Sequence, residues 1–260
     1  METNGSILDK FRAINKLMQE STDDYISMED LCERLSEILD SNVYIADNDG
    51  VILGMHFSVE EDSATRTDPL TGELALPDTY ADELAKIDVT TANLRNEEVL
   101  AVFKYEESTK QKVHTIIPII CGGQRWGSMI LARYEPAYDE VELVLCELAS
   151  TLVGFEIQRA AHIRETEEAQ RLEVVQMALN SLSYSEYEAV IKIFEELDGE
   201  EGILVASKVA DRSRITRSVI VNALRKLESA GVIESKSLGM KGTHIKVMND
   251  KFLPAIELDK

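Results

Sequence analysis

The 260-residue sequence predicts an α+β fold: an N-terminal domain with an antiparallel sheet and helices, a long connecting helix, and a C-terminal winged helix-turn-helix. Three observations support this prediction. Apolar strand patterns flank turn residues between residues 43 and 132, an uninterrupted helical pattern runs from about residue 139 to 182, and a helix-turn-helix pattern with two further strands covers 203–249. The length suits two domains, each long enough to bury a core.

The composition is that of an ordinary soluble protein, with 44% hydrophobic and 29% charged residues. No apolar run reaches the roughly 20 residues that a membrane-spanning helix needs, and the N-terminus shows no secretory signal, so a cytoplasmic protein is expected. The three cysteines are far apart and odd in number, which favours buried thiols over disulfides. The four histidines have no metal-ligand spacing, so no metal site is predicted.

Basic residues are concentrated near the C-terminus of an otherwise acidic chain. The formal net charge is −21, yet residues 203–249 carry nine Lys and Arg against three Asp and Glu, a local balance of +6 that leaves −27 for the rest. Phosphate repels an acidic protein, but a basic segment on an acidic body is the electrostatic footprint of a DNA-binding protein. The acidic body would limit non-specific binding to DNA.

Two amphipathic helices and a hairpin are predicted at the start of the chain. Residues 6–19 carry apolar side chains three and four apart, and residues 28–39 do so behind Ser27, a predicted N-cap. Two short apolar strands then flank the turn sequence of residues 47–50. Because its Asp-Gly pair supplies the positive φ that tight turns need, the sequence predicts a hairpin here.

Polar residues of weak periodicity follow at 56–98, which predicts loops with one short helix near 78–86. Long loops on a compact scaffold often carry ligand contacts. Three strands are predicted after these loops, at 100–105, 113–120 and 126–132.

A long helix is predicted from about residue 139 to 182, with neither Gly nor Pro between 155 and 182. Its first part has apolar residues four and three apart, a spacing typical of a packed helical seam: Val141, Leu145, Leu148, Leu152 and Phe155. Two interpretations stay open, a dimer seam or lever and a solvated linker helix. A further helix, 183–197, begins with a capping box of Ser183 and Glu186.

The helix-turn-helix pattern starts after Gly202. A short helix at about 206–212 is followed by a turn and a second helix, which begins after Thr216, a favourable N-cap, and ends at Gly231. One face of the second helix is apolar, while the other carries residue types that read DNA. Arg binds guanine bidentately, Asn binds adenine and a Val methyl contacts thymine, while Ser and Thr near a helix N-terminus suit phosphate.

Two strands, 232–237 and 243–247, flank a glycine-rich basic tip and predict a wing, whose Lys241 can reach a backbone phosphate. The candidate DNA-contacting residues are Ala206, Ser207, Lys208, Arg214, Thr216, Arg217, Ser218, Val221, Asn222, Arg225 and Lys241. The alternative is a winged helix used only for protein contacts. Agreement among helix lengths, caps, wing and local charge favours DNA binding.

The C-terminal part resembles the CodY family of global, nutrient-responsive repressors of Gram-positive bacteria. The resemblance is nearly continuous across about 172–252 and includes Val205-Ala-Ser-Lys-Val-Ala-Asp-Arg212 and Ile215-Thr-Arg-Ser-Val-Ile-Val-Asn-Ala-Leu-Arg-Lys-Leu-Glu-Ser-Ala-Gly231. The N-terminal part is similar in shorter stretches, among them Thr115-Ile-Ile-Pro-Ile-Ile120 and Gly122-Gly-Gln-Arg-Trp-Gly127.

The resemblance implies a GAF-like ligand-sensing domain at 1–157, a linker helix at 158–182 and a winged helix-turn-helix at 183–260, assembled as a homodimer. It implies a non-enzymatic transcription regulator, mainly a repressor of nutrient-limitation and stationary-phase genes, that binds AT-rich promoter DNA. Branched-chain amino acids (isoleucine, leucine or valine) would bind the sensor domain and strengthen DNA binding. GTP is implied as a second effector, as in much of the family.

The resemblance also implies a ligand site. The family's carboxylate-anchoring arginine matches Arg66, and this chemistry is sensible because Arg pairs bidentately with a carboxylate. The other candidate ligand-binding residues are Thr67, Leu70, Leu76, Pro77 and Phe103. Several depart from the family pattern, since Thr67 and Leu70 stand where the family has methionines and Leu76 stands in place of a phenylalanine before the proline. The departures bear on which ligand is bound.

Two other functions stay open. The first is a protein-interaction regulator whose N-terminal domain senses a different small molecule. The second is an enzyme that uses Cys121, His114 or nearby carboxylates, although no nucleophile and base form a recognisable motif. Nucleotide chemistry has little support, because the sequence has no P-loop and residues 249–252 are only faintly similar to a guanine-reading motif.

Overall fold

The computed structural model describes residues 6–20, 26–58, 65–67, 72–95, 97–102, 112–197, 199–213 and 215–257. The chain divides into two compact units, Met1–Ala161 and His162–Lys260, and the division falls inside one continuous helix. The three-part domain boundaries at 157/158 and 182/183 remain a prediction. None of the helices in the described ranges is long and apolar enough to cross a membrane.

The first unit is built on an antiparallel sheet with helices. In chain order its elements are α1 Ile7–Glu20, α2 Met28–Leu39, β1 Asn42–Asp47, β2 Ile52–His56, β3 Arg66–Thr67, β4 Leu74–Ala75, α3 Asp78–Leu84, β5 Thr91–Leu94, α4 Glu97–Val102, β6 Val113–Cys121, β7 Gln124–Arg133 and the first part of α5 Glu140–Asn180. The sheet order is β2-β1-β7-β6-β5, while β3 and β4 form a separate hairpin. The predicted mixed fold of helices and antiparallel sheet is confirmed.

Apolar side chains cover both faces of this sheet. One face packs against α1, α2 and α5 in a core that includes the fully buried Leu31 and Ile45. The other face packs against α3 and α4 in a smaller cluster, which we call the loop-side core. The loop-side core consists of Ala46, Leu76, Tyr80, Leu84, Val99, Val102, Ile116 and Ile130. A sheet buried on both faces explains why β6 carries a nearly continuous apolar run.

Polar side chains fix the ends of the first elements as the sequence predicts. At the start of α2, Ser27 Oγ accepts a hydrogen bond from the Asp30 amide at 3.0 Å. In the turn between β1 and β2, Asp47 Oδ1 accepts from the Val51 amide at 2.8 Å. Both bonds satisfy backbone N–H groups that the helix or strand ladder leaves free, which is why these residue types occur there.

The strand predicted at 100–105 is wrong where the structure describes it, because residues 97–102 form α4. Val99 and Val102 are both buried in the loop-side core. Residues three apart share one side of a helix but would lie on opposite faces of a strand, so burial of both favours the helix. Residues 103–105 lie outside the described residues.

Short strands in the polar segment 56–98 are not predicted by its pattern. Thr91–Leu94 forms β5, which pairs with β6 at one edge of the sheet. Asn93 in β5 has a left-handed φ of 59°, and its side chain bonds the Tyr138 backbone twice, donating to the oxygen at 2.9 Å and accepting from the nitrogen at 3.0 Å. A distant loop therefore holds this strand, which local periodicity cannot reveal.

The second unit is a winged helix-turn-helix, as predicted. After the end of α5 its elements are α6 Tyr184–Leu197, β8 Glu201–Leu204, α7 Ala206–Ser213, α8 Arg217–Ser229, β9 Ile233–Ser237, β10 Thr243–Val247 and α9 Phe252–Glu257. Its sheet has the order β8-β10-β9, and β9 and β10 form the wing. The core joins Val175 of α5 to Ile193 of α6 and Ile220 of α8.

Most predicted helix ends of the second unit are confirmed. The Ser183 amide donates to Glu186 Oε2 at 2.8 Å and the Glu186 amide donates to Ser183 Oγ at 3.4 Å, which completes the capping box. Gly231 follows α8 with a left-handed φ of 71°. Thr216 lies at the N-cap of α8, but its Oγ1 lies 3.0 Å from Ser218 Oγ instead of making the expected cap bond. Strand β8 and helix α9 are not predicted.

Candidate DNA-binding surface and ligand site

The outward side of α8 carries the residues predicted to read DNA bases. Arg217, Asn222 and Arg225 are exposed, whereas Ile220 and Leu227 are buried in the core of the second unit. At 3.6 residues per turn, the three exposed side chains lie within about 140° of the helix circumference. The outward face therefore presents two guanidinium groups and one amide, the donors and acceptors that a recognition helix needs.

The remaining candidate DNA contacts lie in the helix-turn-helix and at the wing tip. Ala206 and Val221 are half-buried, and the exposed residues are Ser207, Lys208, Thr216, Ser218 and Lys241. Lys241 belongs to a single turn of 3-10 helix, Gly239–Lys241, at the tip of the wing. Arg214 lies outside the described residues. The two hydroxyl side chains at the start of α8 stand where a helix N-terminus favours a phosphate.

Lys226 of α8 has a different role from its basic neighbours. Its Nζ donates to the Ser181 carbonyl oxygen at 2.8 Å and to Glu186 Oε2 at 2.7 Å. The bond from Lys226, followed by the one from the Ser183 amide, holds the pKa of the Glu186 carboxyl below its usual range. Lys226 thus connects α8 to the end of α5 and the start of α6, and it adds less positive charge to a DNA-facing surface than the local count suggests.

The geometry of Asn249 does not support a guanine-reading role. Its Nδ2 donates to the Arg171 carbonyl oxygen at 2.9 Å, and its Oδ1 accepts from the Lys251 amide at 3.0 Å. Both ends of the amide are therefore used within the second unit. The same segment is attached to α5 by Lys251, whose Nζ lies 3.4 Å from Glu168 Oε2.

Arg66, the predicted carboxylate anchor, lies in the β3–β4 hairpin. Its Nη2 donates to Asp78 Oδ1 in a close ion pair, and both side chains are more than half exposed. Thr67, the next candidate ligand residue, is also exposed. Asp78 is absent from the predicted site because it lies twelve positions after Arg66 in the sequence, and no periodic pattern relates the two.

Leu76 and Pro77, which directly follow the β3–β4 hairpin, are two further candidate ligand residues with apolar side chains. Leu76 is 4% exposed and belongs to the loop-side core, and its amide donates to the Gly50 carbonyl oxygen at 2.8 Å. Pro77 is half-buried and directly precedes α3. Leu70 and Phe103 lie outside the described residues. The hairpin therefore carries an exposed cation on β3 and leads from β4 into a buried aliphatic side chain.

A cavity of about 190 Å³ in the first unit has walls that include none of the predicted ligand residues. One wall is the buried Arg133, whose guanidinium pairs with both Glu142 oxygens at 2.8 and 3.3 Å and lies 3.6 Å from the centre of the Tyr138 ring. A buried charge is tolerated when it is paired and bonded in this way. These contacts give Arg133 a structural role.

The arrangement of Cys121 and His114 does not form a catalytic pair. They lie seven residues apart on β6, a separation of about 23 Å, and their side chains point to opposite faces of the sheet. Cys121 Sγ donates to Gln158 Oε1 at 3.3 Å. Burial raises the pKa of the other two thiols, Cys32 and Cys146, to about 12, so neither is a ready nucleophile.

Two family models match the chain: the CodY GAF-like domain over residues 6–181 and the CodY helix-turn-helix domain over residues 200–259. Curated relatives named "Global transcriptional regulator CodY" are similar over almost its whole length. The protein from Lysinibacillus sphaericus is 48% identical over 96% of this chain and 97% of its own. The protein from Halalkalibacterium halodurans is 47% identical, covering 98% of each chain, and that from Clostridium tetani is 46% identical, covering 97% and 98%.

A solved structure is also similar to the first unit. It is described as the cofactor binding GAF domain of the nutrient sensor CodY from Clostridium difficile, and it is 37% identical, covers 59% of this chain and 98% of that chain, and has a TM-score of 0.49. A GAF-type sensor domain followed by a winged helix-turn-helix defines a ligand-responsive transcription regulator. The chain belongs to the CodY family of global transcriptional regulators, which confirms the resemblance seen in its sequence.

We expect the double substitution Arg217→Ala and Arg225→Ala to weaken binding to a cognate promoter fragment by about thirtyfold or more, because two bidentate base contacts of about 1–3 kcal/mol each are lost. Fluorescence anisotropy titrations at several salt concentrations measure the loss. Arg171→Ala is the matched control, since this arginine lies on α5 and is paired with Asp250. Unchanged sequence-specific binding by the double variant would show that α8 does not read the bases.

We expect Lys226→Met to lower the melting temperature by about 4 °C near pH 7, because Glu186 loses its principal partner. The lowered pKa of Glu186 means that this stabilisation is present above the unfolded-state pKa of about 4.3 and is lost as the pH falls through the folded-state value. The difference from the parent should therefore shrink as the pH falls below about 4.3. Calorimetry measures it, with Lys192→Met, whose partner is the exposed Glu195, as control. A pH-independent difference would contradict this role for the pair.

Proposed function

We propose that a branched-chain amino acid binds the first unit and strengthens binding of the second unit to AT-rich promoter DNA, where the protein acts mainly as a repressor of nutrient-limitation and stationary-phase genes. The observation that carries this proposal is that the β3–β4 hairpin carries Arg66 opposite Ala75 and leads directly into the buried Leu76. A guanidinium pairs bidentately with an α-carboxylate, and an aliphatic side chain gains free energy on leaving water. The hairpin offers both interactions.

The ligand contacts we propose are those of the sequence analysis. Arg66 takes the carboxylate, and Thr67 stands beside it on β3. Leu76 and Pro77 supply apolar surface, and Leu70 and Phe103 contribute from segments outside the described residues. Isoleucine, leucine and valine all fit this chemistry. GTP is the second effector of the proposal, supported by the family resemblance alone.

We propose that α8, the start of α7 and the wing contact double-stranded DNA. Arg217, Asn222 and Arg225 face the bases, since they share the outward side of α8. Lys208 and Lys241, on α7 and at the wing tip, are placed to contact phosphates that position the helix in the major groove. The competing view, a winged helix that contacts protein alone, does not explain this clustering of base-reading side chains.

Helix α5 is the element we propose for coupling ligand to DNA. Its first part carries Leu152 into the core of the first unit, and its last part carries Val175 and Ala178 into the core of the second. A displacement of α5 in the first unit would therefore alter the packing of the core of the second unit. Coupling requires that the ligand bind the DNA-competent state more tightly than the other state.

We propose a homodimer in which the first part of α5 contacts its copy. The predicted seam divides in the structure, because Leu145 and Leu152 are buried within their own unit while Val141, Val144 and Phe155 are 48–60% exposed. Val141 and Val144 are three residues apart, and Phe155 follows Val144 by eleven residues, about three turns along the same side of the helix. A second copy would remove their surface from water, and a two-fold dimer would present two winged helices to two half-sites.

The protein is proposed to act without catalysis and in the cytoplasm. Its relatives are named transcription regulators, and the promoter DNA of the proposal is a cytoplasmic partner in bacteria. The free cysteines Cys32, Cys121 and Cys146 are buried, in keeping with a reducing compartment.

We expect isoleucine to tighten binding of the full chain to an AT-rich promoter fragment roughly tenfold, a typical coupling between two sites. Arg66→Ala should abolish this gain and leave binding without isoleucine unchanged. Leucine, valine and GTP are titrated in the same anisotropy assay. Arg95→Ala is the matched control, because this arginine also forms an exposed ion pair in the first unit, with Glu135.

Three results would separate the parts of the proposal. Specific DNA binding that ignores isoleucine, leucine and valine would point to another effector. A response to isoleucine that survives Arg66→Ala would show that the carboxylate anchor lies elsewhere. Absence of specific DNA binding under all conditions would favour a regulator that contacts protein alone.

We expect Val144→Glu to convert the dimer into a monomer in sedimentation velocity at micromolar concentration, because a carboxylate would be buried against an apolar surface. Val144 is 60% exposed, so the substitution should leave the fold of the unit intact. Val89→Glu is the control, since this valine is 73% exposed in a loop. A dimer that persists in Val144→Glu would place the interface elsewhere.

A further inference from the structure

We propose that Lys226 is a positioning residue for DNA recognition, which fixes the rotation of α8 about its own axis so that the base-reading side chains face the bases. Those side chains are Arg217, Asn222 and Arg225. Lys226 itself contacts neither base nor phosphate in this role. The inference rests on the DNA contacts proposed above, and it gives a function to a basic side chain of the recognition helix that is directed towards its own protein.

Lys226 lies where the base-reading side of α8 meets its buried side. At about 100° per residue, the half-buried Lys226 lies about 40° beyond Asn222 and about 60° from the fully buried Ala223. A long side chain at this border can reach a neighbouring element without crossing the base-reading side. Its Nζ bonds the Ser181 carbonyl oxygen at 2.8 Å and Glu186 Oε2 at 2.7 Å.

Both partners of Lys226 are held by contacts of their own. Glu186 accepts from the Ser183 amide in the capping box of α6, and its side chain is only 10% exposed. The Ser181 carbonyl directly follows the end of α5, where the peptide dipoles favour a positive charge. An ammonium group bonded to a largely buried carboxylate and a helix end is held more firmly than one in an exposed ion pair. Lys226 therefore attaches α8 to fixed points on two other helices.

The opposite flank of α8 is held by a second polar bond. Glu228 Oε1 accepts from the Ser235 amide of β9 at 3.2 Å. Glu228 lies about 40° beyond the buried Leu224, so the buried side of α8 lies between Lys226 and Glu228. Apolar contacts hold the helix on the core but are not directional, so they oppose rotation about the helix axis less than polar bonds do. Loss of Lys226 would leave such a bond on one flank alone.

Rotation of α8 would affect base recognition more than general attraction to DNA. Bidentate hydrogen bonds depend on the direction of the donors as well as on distance, and they weaken steeply when they bend. Arg217, Asn222 and Arg225 would all turn together, because they belong to one helix. Contacts with phosphates carry no sequence information and would change less. The expected result of losing Lys226 is therefore a loss of discrimination between DNA sequences.

Fluorescence anisotropy of the full chain with a cognate promoter fragment and with a random-sequence duplex tests this role. We expect Lys226→Met to weaken cognate binding about tenfold, within the range of one bidentate base contact, and to leave binding to the random duplex unchanged. The salt dependence of cognate binding should also stay unchanged, whereas loss of a phosphate contact would lower its slope by about one. Lys226→Arg, which keeps the charge and the donors, should restore most of the affinity. Lys192→Met, which removes the same charge from α6, is the control.

Glu186→Gln distinguishes positioning from attraction, because the two roles of Lys226 predict opposite signs. If Lys226 attracts DNA, removal of the carboxylate frees its charge and tightens binding. If Lys226 positions α8, the weaker neutral hydrogen bond should loosen cognate binding by about threefold. Glutamine also serves in a capping box, so the start of α6 is preserved.

Tighter cognate binding by Glu186→Gln, or a lower salt slope for Lys226→Met, would show that Lys226 contacts phosphate instead. Unchanged cognate binding by Lys226→Met, or an equal loss on both duplexes in a variant that circular dichroism shows to be folded, would also overturn the assignment. The double variant Arg217→Ala and Arg225→Ala separates this inference from the DNA contacts on which it rests. If the double variant binds normally, the recognition face is wrong; if it alone loses affinity, the face stands and the positioning role fails.

Discussion

The structure depends on a single 41-residue helix whose two parts are buried in different cores. An isolated helix draws little stability from its own hydrogen bonds, so α5 owes its order to the surfaces that it packs against. Gly154 lets the first part approach β6 closely, since a Cβ there would lie 3.0 Å from that of Cys121. In the second unit the amide of Asn249 holds the Arg171 carbonyl oxygen, and Val175 enters the core. Each unit therefore folds around a segment of the same helix.

Features that depend on nearby residues could be predicted from the sequence. Ser27, Ser183 and Glu186 make their cap bonds because donor and acceptor lie three residues apart, and periodic burial identified the inward side of α8. Features that depend on distant partners could not. Strand β8 has four residues and forms because β10, about forty residues later, pairs with it. The sequence pattern predicts a strand where α4 forms, because a short apolar run has no clear period.

The predicted DNA-binding and ligand-binding residues differ in the same way, since the first depend on nearby positions and the second on distant ones. The residues predicted to read bases lie on one helix, so their spacing in the sequence is enough to place them on a common face. The predicted ligand residues are scattered between positions 66 and 103, and only the family resemblance points to Arg66 among them. Asp78, the partner that Arg66 contacts, follows from neither periodicity nor resemblance, because the two residues belong to different elements, β3 and α3, twelve positions apart. Residues that come from several elements are therefore the part of a site that can be brought together only with a structure.

The distribution of charge along the chain bears on how the proposed effector would strengthen DNA binding. The winged helix-turn-helix has a local balance of +6, but Lys226 is bonded to Glu186, and Arg212 lies 2.5 Å from Glu196. The rest of the chain carries −27 and repels phosphate over the distance that salt leaves unscreened. Non-specific attraction is consequently small, and affinity must come from base contacts made by correctly placed recognition helices. Under the function proposed above, an effector that favours the right placement of the recognition helices would strengthen binding most, because that placement, rather than charge, would limit it.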